Sequence, residues 1–165
     1  MSDSRKLWIG CLSSYNAGNV YGQWFHLEDY SDVEELQDAV TSMIKGEEWH
    51  ICDYEGFHGL TVGRYESLDT VFSWHEMFEE NEHVPDVVIS HLIQENRTAN
   101  IGDIYHGTYS RRGDYAAEMH EGIGDIPEHL QAYIDWEAME RNLEMGGDIS
   151  VLEDGCERHI LCNHA

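Results

Sequence analysis

Lys6-Leu7-Trp8-Ile9-Gly10-Cys11-Leu12-Ser13 alternates apolar and small residues enough to predict a strand, and Val20 to Leu27 reads as its partner across the loop Ser14-Tyr15-Asn16-Ala17-Gly18-Asn19. Ser31 followed by Glu34 has the spacing of a capping box. Val33, Leu36, Val40, Met43 and Ile44 then recur at helical spacing up to Gly46. Glu48 to Cys52 reads as a third strand. The expectation is a small sheet with one helix against it.

Beyond Gly56-Phe57-His58-Gly59 the period becomes helical. Leu68, Val71, Phe72, His75 and Phe78 share one face of a helix begun near Ser67, and Pro85 suits the first turn of another through Val88, Ile89, Leu92 and Ile93. A third section has a strand at Tyr105 to Tyr109, a helix at Asp114 to Glu121, and a Pro-initiated helix from Pro127 to about Glu144. Ile149 to Leu152 and Glu157 to Cys162 form a hairpin through Glu153-Asp154-Gly155-Cys156. The fold class predicted is α+β, in an elongated chain of three small units. These are a sheet-plus-helix unit at 1–61, a helical acidic middle at 62–103 and an α+β C-terminal unit at 104–165.

Charge is the strongest compositional signal. The chain has 165 residues with 33 Asp and Glu against 9 Lys and Arg, a formal net charge of -24. Self-repulsion of that size works against a compact state. It also excludes binding of nucleic acid through its phosphates. With 41% hydrophobic residues, 5 Trp and 9 Tyr, however, the chain is too apolar for a disordered acidic tail.

Cys11, Cys52, Cys156 and Cys162 show no CxxC spacing, so the thiols are expected to be free and the protein cytoplasmic. No apolar stretch approaches the roughly 20 residues of a membrane span. No phosphate-cradling glycine loop, EF-hand or nucleophile elbow occurs, and no cofactor is expected.

Duplex DNA carries one charge per about 1.7 Å of axis, so the net charge matches about 40 Å of duplex, roughly twelve base pairs. A compact globule of this length is itself about 40 Å across. The linear charge density is therefore comparable to that of DNA. The acids are also dispersed through the predicted folded elements. Those expected to face a basic partner are Asp32, Glu34, Glu35, Glu47 and Glu48 in the first part of the chain. They continue through Asp53, Glu55, Glu66, Asp69, Glu76, Glu79, Glu80, Glu82, Asp86 and Glu95, and on to Asp114, Glu118 and Glu121. A halophile's solvated surface has similar composition, and so does an acidic module for another basic DNA-binding protein.

Two chemical alternatives are weaker. Asp53 with Glu55, or Asp135 with Glu137, could act as an acid and base pair. Residues two apart, however, face opposite ways on a strand and are not neighbours on a helix. Cys156, His159, Cys162 and His164 suggest a metal cluster, but on a strand the two cysteines lie about 20 Å apart with His159 on the other face. The 11 histidines are scattered, and their protonation near pH 6 would reduce the anionic charge. Trp8, Trp24, Trp49, Trp74 and Trp136 are expected as core anchors.

Particular residues also carry a resemblance. Trp8-Ile9-Gly10-Cys11-Leu12-Ser13-Ser14-Tyr15-Asn16-Ala17-Gly18 with Tyr21-Gly22-Gln23-Trp24, and Asp53-Tyr54-Glu55-Gly56-Phe57-His58-Gly59, resemble the N-terminal elements of ArdA antirestriction proteins. Ile126-Pro127-Glu128 and Tyr133-Ile134-Asp135-Trp136-Glu137-Ala138-Met139-Glu140-Arg141-Asn142-Leu143 resemble the family's antirestriction motif. Asn142 stands where members often have Asp. The middle section is similar only in acidity and length.

The resemblance implies a non-enzymatic DNA mimic that binds type I restriction-modification enzymes and spares incoming mobile-element DNA. It further implies a homodimer joined by the C-terminal part. Pro127, Leu130, Tyr133, Asp135, Trp136, Glu137, Ala138 and Met139 are then the motif and dimer-contact residues.

Overall fold

The computed structural model describes residues 4–18, 21–121, 124 and 126–165. Val20 and Asn19, at the start of the expected second strand and the end of the loop before it, lie outside the described residues. The fold is α+β, with two antiparallel three-stranded sheets. The chain divides into two compact units, residues 1–96 and 97–165.

In the first unit, strand β1 (Lys6–Cys11) lies between β2 (Gly22–His26) and β3 (Trp49–Glu55). Leu7 and Ile9 alternate into the core and are fully buried, as the period of a strand requires. The strand stops short of Ser13. Leu12 N–H still bonds Glu48 O at 2.9 Å, and the chain then coils into a short helix α1 (Leu12–Asn16) where a loop was expected. The second strand also ends early, in a 3-10 turn at Leu27–Asp29 that buries Leu27.

Helix α2 (Val33–Ile44) buries Leu36, Val40 and Ile44. Its cap is one residue later than the spacing of Ser31 and Glu34 suggests. Asp32 accepts from Glu35 N at 2.9 Å, while the Glu35 carboxylate accepts from Ser31 N and Oγ, both at 2.9 Å. A carboxylate caps as well as a hydroxyl, which moved the box by one residue. The helix ends at Lys45, in the left-handed region with φ 58, ahead of Gly46.

Helices α3 (Leu68–Glu80) and α4 (Asp86–Gln94) match the periodic stripes. Ser67 caps the first, and Leu68, Val71, Phe72, His75 and Phe78 are all buried. Val88, Ile89 and Leu92 are buried on the second. The loop before α3 is tied in by Ser90 Oγ to Phe57 O at 2.9 Å and by Ile51 N to Arg64 O at 2.8 Å.

The unit also holds a buried cation. Arg5, 4% exposed, donates from Nε to His75 Nδ1 at 3.1 Å and from its guanidinium to Glu79. Its Cζ lies 4.6 Å from the Phe78 ring centre. Accepting that bond requires His75 to be neutral. Burial, and then the Arg5 charge, push the His75 pKa down.

The second unit begins with a single helical turn, α5 (Ile101–Ile104), leading into β4 (Tyr105–Tyr109). Helix α6 (Asp114–Glu121) follows. The expected long helix from Pro127 is broken into α7 (Glu128–Gln131) and α8 (Trp136–Gly146). Two i→i−3 bonds, Tyr133 N to Leu130 O and Ile134 N to Gln131 O, tighten the turn between them. Asp135 restarts the helix by accepting from Ala138 N at 2.9 Å.

Strands β5 (Ile149–Asp154) and β6 (Glu157–Cys162) form the hairpin, with β6 central between β4 and β5. Gly155, φ 60, takes the first position of the two-residue turn, where an L side chain would be strained.

Helix α8 is fastened to the hairpin by charge. Its one buried residue is Glu140, which accepts from Arg158 at 2.6 Å and from Gly113 N at 2.8 Å; Arg158 also donates to Arg111 O at 3.1 Å. Gly113 has φ 92, and a Cβ there would lie 2.8 Å from Glu137 N. Only glycine admits both the conformation and the approach.

Two measurements check this description. Arg158→Met should cost about 3–5 kcal/mol in urea unfolding by stranding the Glu140 carboxylate, and adding Glu140→Leu should recover most of it. A double variant no more stable than the single one would contradict the pairing.

The second concerns pH. The folded pKa of His75 is depressed below its ordinary 6.5, so its contribution is intact above that value and is lost as pH falls below it, because the unfolded chain binds the proton first. His50, lowered by burial and then Arg64, acts in the same direction. Stability measured from pH 7 to 5 should fall less steeply in His75→Gln than in the parent.

Candidate partner-binding surface

The carboxylates sit outward because the apolar stripes of their elements sit inward. On α2, Leu36, Val40 and Ile44 face the core, which leaves Glu34 exposed with Asp32 and Glu35 at the helix start. There the positive end of the helix dipole favours anions. Asp69 occupies the first turn of α3, Asp86 that of α4 and Asp114 that of α6.

Among the described residues Glu140 is the one buried carboxylate. Of the acids expected to face a partner, Glu66 and Asp86 are half-buried. Asp32, Glu34, Glu35, Glu47, Glu48, Asp53, Glu55, Asp69, Glu76, Glu79, Glu80, Glu82, Glu95, Asp114, Glu118 and Glu121 are exposed.

Several of these acids also have partners within the fold. Glu47 accepts from Cys11 Sγ at 2.9 Å and from Ser13 Oγ, and these bonds hold its pKa below the usual carboxylate range. Asp86 meets His58 Nε2 at 2.9 Å and lies 3.8 Å from Arg5. Glu55 pairs with Lys6 at 2.7 Å, directly opposite it across β1 and β3. Burial, followed by the nearby Glu118 carboxylate, pushes the Tyr109 phenol up to about 12.

Four of the nine Lys and Arg side chains are drawn inward. Arg5 and Arg158 are buried in ion pairs, and Lys6 lies 4.6 Å from the Trp24 ring centre. Arg97 is half-buried, bonding Cys162 O at 2.9 Å and Asn163 at 3.2 Å. Lys45, Arg64, Arg111, Arg112 and Arg141 remain exposed.

Three of the four paired acids have structural occupations. Asp53 accepts from Tyr54 N at 2.8 Å, Glu55 holds Lys6, and Asp135 caps α8. His159 lies fully buried in β6, its Nδ1 2.8 Å from Thr108 Oγ1, while Cys156 is exposed in the hairpin turn. Among the described residues no group of three or more His, Cys, Asp or Glu is placed to hold a metal ion, and no helix is long and apolar enough to cross a membrane. All four cysteines are free.

The C-terminal motif is divided between the surface and the fold. Pro127, Leu130, Tyr133, Asp135 and Glu137 are exposed, Tyr133 at 86%. Trp136, Ala138 and Met139 are half-buried, with the Trp136 ring 5.7 Å from that of His120. All five tryptophans are half-buried. The expectation that they anchor cores is therefore corrected: the buried cores are made mainly of Leu, Ile, Val and Phe, with the indoles at their margins. An indole is bulky and carries an N–H that must find a partner when buried.

Sequence reasoning missed Glu140, Arg158 and Arg5, and it placed His75 on the buried stripe of α3 without its bond to Arg5. The available signal was local for Glu140, which falls one helical turn after Trp136 on the stripe completed by Leu143. Arg5 offered none, because its partners lie 70 and 74 positions away.

No curated protein matches the chain. A family model described as antirestriction protein (ArdA) matches residues 7–158, which runs from inside β1 to inside β6. With nearly the whole folded chain matched, the protein belongs to the ArdA family of antirestriction proteins.

Proposed function

We propose that this antirestriction protein acts by binding rather than catalysis, as a mimic of duplex DNA that occupies the DNA groove of a type I restriction-modification enzyme in the bacterial cytoplasm. Incoming mobile-element DNA would then escape cleavage. The observation that carries this reading is the partition of charge: carboxylates fixed on the surface of folded elements, with Arg5 and Arg158 buried. A rigid anionic array meeting an enzyme's Lys and Arg releases condensed cations, the same driving force that DNA uses.

The reading includes an elongated homodimer. One chain matches roughly twelve base pairs in charge, and two joined by a two-fold axis would double the length and reproduce the pseudo-two-fold symmetry of a duplex. The stretches 1–61, 62–103 and 104–165, each expected to fold as a small unit, would each supply carboxylates to the array. Exposure of Leu130 at 46% and Tyr133 at 86% supports a contact in the C-terminal part.

Three outcomes are expected. The purified chain should displace duplex DNA from a type I enzyme at low salt, and failure to displace it would reject the reading. Single neutralisations such as Asp53→Asn or Glu76→Gln should each weaken inhibition less than about fivefold, because an exposed pair contributes about 0.2–1 kcal/mol. Complete loss from one of them would replace the distributed surface with a discrete site. Tyr133→Lys should convert a dimer to a monomer by light scattering without loss of fold, and a variant that stays dimeric would move the interface elsewhere.

A further inference from the structure

A cleft of about 460 Å³ opens in the first unit between α2 and the start of α3. It is lined by Trp49, Tyr65, Glu66 and Asp69, with Gln37, Thr41, Ser67 and Leu68 completing it. Among the described residues, no basic side chain lines it. That volume lies within the ~300–1,000 Å³ range of ligand sites. Its two kinds of wall accept the same chemistry: aromatic faces attract a cation through the ring quadrupole, and the carboxylates attract it by charge.

The parts are held in place by the fold. Trp49 begins β3, paired with Cys11 of β1. Tyr65 packs its ring against the buried His50, 6.3 Å between centres, yet stays 72% exposed. Gln37 Nε2 holds Asp69 Oδ2 at 3.0 Å, and Ser67 caps α3 by accepting from Thr70 N at 3.1 Å. Arg64 is exposed beside Tyr65 in the chain, where its charge acts on His50 and Cys52.

We infer that this cleft receives an arginine side chain of the basic partner, its guanidinium lying against Tyr65 and bonded to Glu66 and Asp69. The inference rests on the DNA-mimic reading for the identity of the partner, but the cleft's preference is a property of the chain alone. Arginine fits better than lysine because the guanidinium is flat, weakly hydrated and able to stack while donating in its own plane. An ammonium keeps its water and presents no face. A phosphate would be repelled by both carboxylates. The cleft would thus add a point of specific recognition to a surface that otherwise binds by distributed charge.

The experiment titrates the full chain with N-acetyl-arginine amide at constant ionic strength. Shifts of the tryptophan indole NMR signals are followed, with Trp49 assigned from a Trp49→Phe variant. The expected result is saturable shifts centred on Trp49, with binding at least about fivefold tighter than for the lysine or norleucine amides and weakened about fivefold by Tyr65→Ala. Tyr21→Ala, at an exposed tyrosine that does not line the cleft, should leave binding unchanged. Equal binding of the lysine amide would reduce the cleft to charge attraction, equal binding of the norleucine amide would make it merely apolar, and either overturns the inference.

A second arm measures displacement of DNA from a type I enzyme. Tyr65→Ala keeps the net charge, and its potency should fall about fivefold. Wild-type chain that binds arginine amide as expected yet displaces no DNA would sink the mimic reading and leave the cleft standing. Wild-type chain that displaces DNA but shows no arginine preference would do the reverse.

Discussion

Repulsion among its own carboxylates is the constraint under which every element of this chain folds. A net charge of -24 on 165 residues opposes compaction, so each unit must gather enough apolar surface to offset it and keep the charges apart. Both units meet the need in the same way. Short strands and helices turn Leu, Ile, Val and Phe inward, while the acids occupy helix starts, outer faces and turns, where water and the helix dipole stabilise them.

The two buried cations answer the same constraint. Arg5 ties the start of β1 to α3, and Arg158 ties β6 to α8 and to the turn at Arg111 and Gly113. Each neutralises carboxylate charge close to the interior, where the local dielectric makes the interaction stronger than at the surface. Burying them also removes positive charge from the protein surface. Internal cohesion and external field therefore come from one arrangement of residues.

Much of this was legible in the sequence because it is local. The stripe on α3 and its Ser67 cap, the helix after Pro85, β4, α6 and the Gly155 hairpin each depend on residues within a few positions of one another. What was not legible depends on competition or distance. Asp32 outcompetes Ser31 as a cap, and Asp135 interrupts a pattern that reads as one long helix. The exposure of the candidate carboxylates could be expected, since acids are rarely buried unpaired. The exception, Glu140, is buried because a strand eighteen residues later supplies Arg158. The cleft at Trp49 and Tyr65 joins segments from α2 to the start of α3, and no single stretch of the chain announces it.

Family membership makes antirestriction the activity to be explained, and the surface supplies a physical route to it. On the proposed reading, an array of fixed carboxylates would engage an enzyme's phosphate-binding residues without needing the bases that carry sequence information, and so compete at the part of the groove common to all DNA. The most direct measurement is the salt dependence of the chain's binding to a type I enzyme, set beside that of duplex DNA for the same enzyme. Cation release from a DNA-like array predicts a steep linear fall of log K with log salt, with a slope approaching that of the duplex. A shallow slope at similar affinity would contradict the account, since it would mean that contacts other than the charge array hold the complex together.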